Sequence, residues 1–334
     1  LKTSLAKQSL PLKKLFREVE PDIDRIDDRL SRLSQQFNPG INGYVSYATE
    51  HSGKRIRAAL VMFAGKATGG LKDEHDDLAV IVELIHLASL IHDDILDGAE
   101  IRRARPSTNA KWGTEISVLL GDCLFAYALK LCTRFENHDI LCKVADASNA
   151  VCTGEMLQTQ RRFDLKLSVP EYMDMIRMKT GALFEVSTEL AAVINQTRPE
   201  VASALHVYGE SLGTAYQIYD DCLDLAGSES KSGKTLGTDL AKGKLTLPLL
   251  HMLNQLSETE KDAVHTEILQ GSPESRDELQ RRVKKSGGFA YSVRVACRLL
   301  EECRKSTRVL QESPHRQHLV AITDSLEERL HSFC

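Results

Sequence analysis

The sequence is short of several things. It has no run of roughly 18 or more apolar residues, so no membrane-spanning helix is expected, and its opening stretch LKTSLAKQSLPLKKLFREVE lacks the apolar core of a secretory signal. Positive charge is not in excess: 43 Lys and Arg against 47 Asp and Glu leave a net charge of −4 and a pI near 6.3. That excludes the global basic field by which a chain binds nucleic acid or an anionic surface. Any polyanionic ligand must be met by local cations or by metal ions. The eight cysteines include no Cys-x-x-Cys pair and no zinc-finger spacing of Cys and His. Reduced thiols of a cytoplasmic protein are the expectation.

Alternating strand patterns are nearly absent as well. Apolar residues recur instead at helical spacing, as in Val118, Leu119, Leu120, Leu124, Ala128 and Leu131, or Met173, Ile176, Leu183, Val186 and Leu190. Most of the nine prolines fall in breaks, and Ser168, Thr197 and Ser257 each stand three residues before a Glu with capping-box spacing. Helices are predicted at about 14 to 36, 42 to 68, 74 to 98, 111 to 135, 139 to 162, 169 to 195, 198 to 228, 239 to 255, 258 to 270, 275 to 286, 288 to 311 and 315 to 332. No linker divides them, so the expectation is an all-α chain forming a single large helical bundle around a central cavity over 1–334, with a motif-bearing core at about 40–250 and C-terminal helices at about 256–334.

Acidic clusters interrupt this apolar pattern twice. Asp93, Asp94 and Asp97 close the run LAVIVELIHLASLIHDDILD, and Asp220, Asp221 and Asp224 close SLGTAYQIYDDCLD. In a helix, residues four apart share a face, so each Asp-Asp-x-x-Asp directs two carboxylates one way with the third beside them. Such unpaired carboxylates repel, and one cluster alone reads as a solvated helix end. Two alike, each ending a greasy helix, read as a site for cations. Oxygen-only ligands point to Mg2+, which bridges carboxylates to phosphates. Basic residues stand near: Lys54 and Arg57, then Arg102 and Arg103, Lys179, and Lys234, Lys242 and Lys244. Together they suggest two polyanions in one cavity, one held through metal and one directly by Arg and Lys.

The segments SGKRIRAAL, ELIHLASLIHDDILDGAEIRRARPSTN, MKTG, GTAYQIYDDCLD and GKTLGTDLAKGKLTLP, in this order, resemble the trans-isoprenyl diphosphate synthases, also called polyprenyl synthetases, and in particular a medium- to long-chain member. The resemblance implies the isoprenoid synthase fold and condensation of isopentenyl diphosphate with an allylic prenyl diphosphate. It implies that Asp93, Asp94, Asp97, Asp220, Asp221 and Asp224 hold three Mg2+ ions. Arg102, Lys179 and Lys244, with Lys234 near, would contact the allylic diphosphate; Lys54, Arg57, His86 and Arg103 would bind isopentenyl diphosphate. Thr180 and Gln217 would line the reacting carbons, a catalytic group with Lys179. Ser52, Ala58 and Tyr216 depart from the family's usual Gly, Pro and Phe, and none removes a charged ligand. A homodimer, and peripheral membrane contact for long products, are further expectations.

Chain length should depend on what lies beneath the first acid cluster. Ala88 and Ser89, about one turn below Asp93, are small and predict a tunnel deep enough for a product of C20 or longer, with Phe125 and Tyr127 as candidates for its floor. Other readings use the same residues. A His-Asp metal phosphohydrolase built on His51, His86, His92 and Asp93 leaves the second cluster unexplained; a non-catalytic regulatory subunit or a terpene cyclase does not need both clusters with an isopentenyl site.

Overall fold

The structure is a computed structural model describing residues 12–50, 53, 55–226, 238–270 and 273–334; His51, Ser52, Lys54 and Lys234 lie outside the described residues. Its helices are α1 Leu12–Arg17, α2 Glu20–Ser31, α3 Asn42–Thr49, α4 Ile56–Thr68, α5 Asp73–Leu96, α6 Thr108–Trp112, α7 Thr114–Cys132, α8 His138–Gln160 and α9 Val169–Ile176. After a π-helical turn, Arg177–Gly181, follow α10 Ala182–Ile194, α11 Pro199–Ala226, α12 Thr238–Ala241, α13 Leu247–Leu253, α14 Glu258–Gln270, α15 Pro273–Lys285, α16 Gly288–Ser306 and α17 Pro314–His331. The strands among the described residues are a two-residue antiparallel pair, β1 Ile101–Arg102 with β2 Arg105–Pro106. The all-α expectation holds.

Of the three capping boxes, that at Ser168 forms in full, Glu171 N–H donating to the Ser168 hydroxyl, and that at Ser257 forms in its carboxylate half. Ser168 N–H donates to Glu171 at 2.9 Å and Ser257 N–H to Glu260 at 2.8 Å. Thr197 instead turns its hydroxyl back to the Ala192 carbonyl at 3.2 Å, so no box opens α11 there. Several long helices expected from periodicity are broken. The 42–68 helix splits where Arg55 takes a left-handed φ of 49°, stabilised as its guanidinium donates to Asp27 at 2.7 Å and Glu83 at 3.3 Å. Glu83, deeply buried, also accepts from the Ala58 N–H at 3.1 Å and so serves a free donor of the first turn of α4. The 111–135 helix splits at Gly113, with φ of 84°. The 239–255 helix splits around Gly243, whose φ is 70° and where any side chain would strike the Phe163 ring. The 14–36 helix divides into α1, α2 and a 3-10 turn over Arg32–Gln36.

The buried apolar side chains form one connected cluster from Leu15 to Leu330. Within it α10 packs on α4, α5 and α11, and α11 packs in turn on α16. The two acid-bearing helices therefore share one largely apolar partner, α10. Among the described residues no helix is long and apolar enough to cross a membrane.

Candidate active site

The middle of helix α5 is largely buried. His86, Ser89, Asp93 and Asp97 remain partly accessible, and at 100° per residue they fall within a narrow arc of the helix. Ala88, pointing well away from that arc, is fully buried. His92 also turns away: its imidazole meets the Val118 carbonyl at 3.2 Å, over Gly121 of α7, where a side chain would collide with the ring. His92 and Asp93 thus face different neighbours, and the constellation a His-Asp hydrolase requires does not assemble from them.

Each carboxylate of the first cluster has cationic company. Asp94, buried, accepts from Arg102 Nε at 2.7 and 2.8 Å and lies 2.6 Å from its Nη2, which ties the β1–β2 hairpin to α5. Asp97 lies 3.1 Å from Arg162, 3.1 Å from Lys244 and 3.3 Å from Lys242. Burial works against its ionised form, yet Lys244 and Lys242 outweigh it and hold the carboxyl below the ordinary range. Asp93 behaves in the opposite way. Burial pushes its carboxyl up to about 6, against the pull of Lys179 and with a push from Glu155.

The second cluster is built by α11 with help from residues the sequence reading missed. Thr180 donates to the Gln217 carbonyl at 2.7 Å, and the Gln217 amide donates to Asp221 at 2.7 Å, so the three form one chain of hydrogen bonds. Tyr172, wholly buried, donates to the other Asp221 oxygen at 2.5 Å. Even so, burial and the nearby Asp239 push Asp221 up to about 8. Asp239 is the principal addition. Its backbone N–H donates to Asp224 at 3.2 Å, Lys244 stands 3.8 Å from its carboxylate, and burial beside Asp224 raises it to about 6. A signal was available, since Asp239 lies between the basic residues of GKTLGTDLAKGK. Asp220 and Asp224 sit with Asp221 on the same helix end.

Lys179 stands in the π-helical turn, where it pairs with Glu155 and donates to Gln158 at 2.9 Å, both on α8. The turn fits because α8 offers Gly154 at the crossing: a Cβ there would lie 2.6 Å from the Lys179 backbone nitrogen and 2.9 Å from the Met175 carbonyl. Burial disfavours the charged lysine, but Asp93 and Glu155 prevail and raise it.

A separate group of cations gathers beside α5. The imidazole of His86 is driven well below its usual range, first by burial and then by Arg57, Arg103, Arg102 and Arg55, which leaves it neutral. Arg57 lies over the Phe184 ring at 4.8 Å, and its buried Nε has no hydrogen-bond partner among the described residues. Arg103 adopts a φ of 52° and lays its guanidinium against Gly53, where a Cβ would lie 2.5 Å from it. So much positive charge, with a buried donor unsatisfied, suits an anion.

The residues proposed to govern chain length are not equivalent. Ser89, half-buried, shares the accessible stripe with Asp93, whereas Ala88 does not. Phe125 and Tyr127 are two positions apart on α7 and point to different sides of it; Tyr127 packs on Phe37 with ring centroids 4.8 Å apart, and Phe125 rests partly buried on the core. They do not form one floor.

The carboxylates fit a hard divalent cation. Asp93, Asp97, Asp221, Asp224 and Asp239 offer oxygen only, and in Asp93, Asp221 and Asp239 burial raises the carboxyl, a desolvation that a bound cation would offset. Lys244 reaches Asp97 of the first cluster on one side and, on the other, Asp239, whose backbone N–H donates to Asp224 of the second.

Comparison with known proteins agrees with this geometry. The family pattern described as polyprenyl synthetase matches residues 38–285. An octaprenyl diphosphate synthase of Haemophilus influenzae is 33% identical over 305 residues, 91% of this chain and 93% of its own. Among solved structures, a decaprenyl diphosphate synthase from Rhodobacter capsulatus superposes with a TM-score of 0.88 at 30% identity, covering 96% of this chain and 99% of that one. A polyprenyl synthase from Caulobacter crescentus, complexed with calcium and isoprenyl diphosphate, gives 0.87 at 30% identity over 96% and 98%.

Proposed function

The chain belongs to the polyprenyl synthetase family, and from that premise we propose how its residues share the work of a magnesium-dependent trans-prenyltransferase. The reaction joins isopentenyl diphosphate to an allylic prenyl diphosphate and yields an all-trans product of C20 or longer. Three Mg2+ ions are assigned to Asp93, Asp94, Asp97, Asp220, Asp221 and Asp224, with Asp239 joining the second group. When bound, magnesium neutralises the departing diphosphate and eases rupture of the C–O bond.

The protein's own groups do the rest. Arg102, Lys179 and Lys244, with Lys234, grip the allylic diphosphate from the side opposite the carboxylates. That each described cation of this set is paired with an acidic side chain supports the assignment: Arg102 with Asp94, Lys179 with Glu155, Lys244 with Asp97. These pairs keep both sets of charges compensated until ligand and counter-ion arrive. Arg57, Arg103 and neutral His86, with Lys54, receive isopentenyl diphosphate. Thr180 and Gln217, held by their mutual hydrogen bond, present oxygen dipoles to the developing allylic cation. The double bond of isopentenyl diphosphate attacks that cation, and the released diphosphate takes the final proton. The apolar interior beneath the acids excludes water that would otherwise capture the cation.

The single connected core supports one domain over 1–334. Val118 and Leu119 on α7, with Met156 on the adjoining α8, expose apolar surface (39%, 61% and 64%) and support a homodimer. Leu96 and Ile101, exposed near the acidic end of α5, offer peripheral membrane contact for long products. The eight unpaired cysteines support a reducing compartment such as the cytoplasm.

One observation carries the assignment: Lys244 lies beside both Asp97 and Asp239, and Asp239 is bonded in turn to Asp224, which supports a single site for the two clusters. Product analysis from labelled isopentenyl diphosphate and each allylic primer tests it, with and without EDTA and with Asp93→Ala and Asp221→Ala. Elongated products are expected from the metal-loaded wild type and neither variant. Release of phosphate or diphosphate without elongation would instead indicate a hydrolase. Elongation appearing only after a second synthase is added would indicate a regulatory subunit.

A further inference from the structure

Far from the acidic clusters in the sequence, α16 and the last turns of α17 form another chemically distinct group. Glu327 and His331 are four apart on α17 and so share a face. Cys297 of α16 stands opposite them. One ligand atom from each, a thiol sulfur, a carboxylate oxygen and an imidazole nitrogen, all lie within 4.8 Å of one another. The three open onto a surface cleft of about 390 Å³ that Cys334 also lines.

We propose that Cys297, Glu327 and His331 bind a divalent transition metal of the zinc type, with the fourth position facing the cleft and Cys334. Donor chemistry selects the metal. Thiolate and imidazole are poor partners for Mg2+ and good ones for Zn2+. Tetrahedral zinc with ligand bonds of roughly 2.0–2.3 Å separates its ligand atoms by about 3.4–3.8 Å, so side-chain shifts on the order of 1 Å bring the trio into place. Metal binding displaces the Cys297 thiol proton, which leaves to solvent as the sulfur takes up the metal.

The surroundings are those of an oriented ligand. Arg304 pairs with the other Glu327 oxygen and is itself fixed by Asp324 at 2.9 Å, as an outer partner holds a ligating carboxylate in place. Arg294 and Arg298 also line the cleft. Their positive charge opposes a bare cation but favours the Cys297 thiolate, whose charge together with that of Glu327 balances the two positive charges of the metal. Occupancy would tie the end of α17 to α16. Phe333, just beyond, packs on Tyr219 at 5.8 Å and Phe289 at 6.3 Å, so this end of the chain buttresses α11 next to Asp220.

The full-length protein, stripped with chelator, is titrated with Co2+ while the thiolate-to-cobalt charge-transfer absorption is followed. The acidic clusters cannot produce this band. Saturation at one equivalent is expected, with bleaching by added Zn2+. Cys297→Ser should abolish the band. His331→Gln, at an exposed position that folding does not depend on, should weaken cobalt affinity about tenfold or more. Prenyl transfer should persist in both variants. Absence of the band in the folded wild type overturns the proposal, as does a band of full strength and affinity in both variants, which would belong to another thiol such as Cys142 or Cys152, both exposed.

Discussion

The Lys244 ammonium lies 3.1 Å from Asp97, a residue 147 positions earlier in the chain. Lys244 is almost wholly buried, and the charge it carries is directed at Asp97 and Asp239 and at the diphosphate expected beside them. Lys244→Ala should lower kcat/KM for the allylic substrate by about 10² to 10³, the usual cost of removing one preorganised donor from developing charge. The KM for isopentenyl diphosphate should barely move. Stability should also hold, since Lys242 and Arg162 remain at 3.3 and 3.1 Å from Asp97. Steady-state kinetics with each substrate varied in turn decides it, and an unchanged allylic kcat/KM would remove Lys244 from the site.

Gly154 is where α8 passes the π-helical turn that carries Lys179. A methyl group there meets backbone on the facing element, which cannot swing aside as a side chain can. Gly154→Ala should therefore destabilise by about 1–3 kcal/mol through overpacking. It should also displace Lys179 and Thr180, and a shift of about 1 Å can cost on the order of 10²-fold in rate. Thermal unfolding and kcat measured together test this. A variant with wild-type Tm and rate would show that the crossing has slack.

The acid-bearing ends of α5 and α11 were legible because a carboxylate trio closing a long apolar helix repels itself and costs stability unless cations offset it, and the same trio twice in one chain points to shared cations. Their partners were harder to read, Asp239 alone being marked, by the basic residues around it. Glu155, Tyr172 and Asp239 lie in ordinary helical or polar stretches, and only folding brings them to Lys179, Asp221 and Asp224. The break at Arg55 was hidden because arginine gives no sign of a left-handed backbone, which is imposed here by the buried Glu83. Conversely, the π turn at Arg177–Gly181 keeps apolar spacing nearly helical, so 169 to 195 reads as one helix. Phe125 and Tyr127 could have been separated from the sequence alone, since residues two apart on a helix never share a face.

Ser89 and Ala88 now make different predictions. Ser89 lies on the accessible stripe of α5, one turn from Asp93, with its hydroxyl folded back to the His86 carbonyl at 2.8 Å. Ser89→Phe should shorten the products while preserving the fold, because the ring enters the space the growing chain would use. Ala88 has no exposed surface, so Ala88→Phe should instead strain the core, destabilise the fold by about 1–3 kcal/mol or more and lower Tm accordingly. Product chromatography beside thermal unfolding separates the effects. Shortening by Ala88→Phe with an intact Tm, and none by Ser89→Phe, would reverse the assignment.

His206 supplies a pH dependence remote from the catalytic charges. Its imidazole is 2.9 Å from Glu185 and 3.4 Å from Glu189, and these hydrogen bonds, opposed by partial burial, raise it from 6.5 to about 10. Because the folded value exceeds the unfolded one, the protonated pair stabilises fully below pH 6.5, and the contribution is lost as pH rises through about 10. Lys143, held at 2.9 Å by Glu189 and itself raised, retains its charge over most of that window and does not mimic the effect. The Tm of wild type should exceed that of His206→Gln most in mild acid, and the gap should close toward the upper end of the window. The imidazole is 39% exposed, so solvent screening keeps the gap small. A gap that widened with pH would mean that His206 is neutral in the folded protein and that Glu185 and Glu189 are satisfied by other donors.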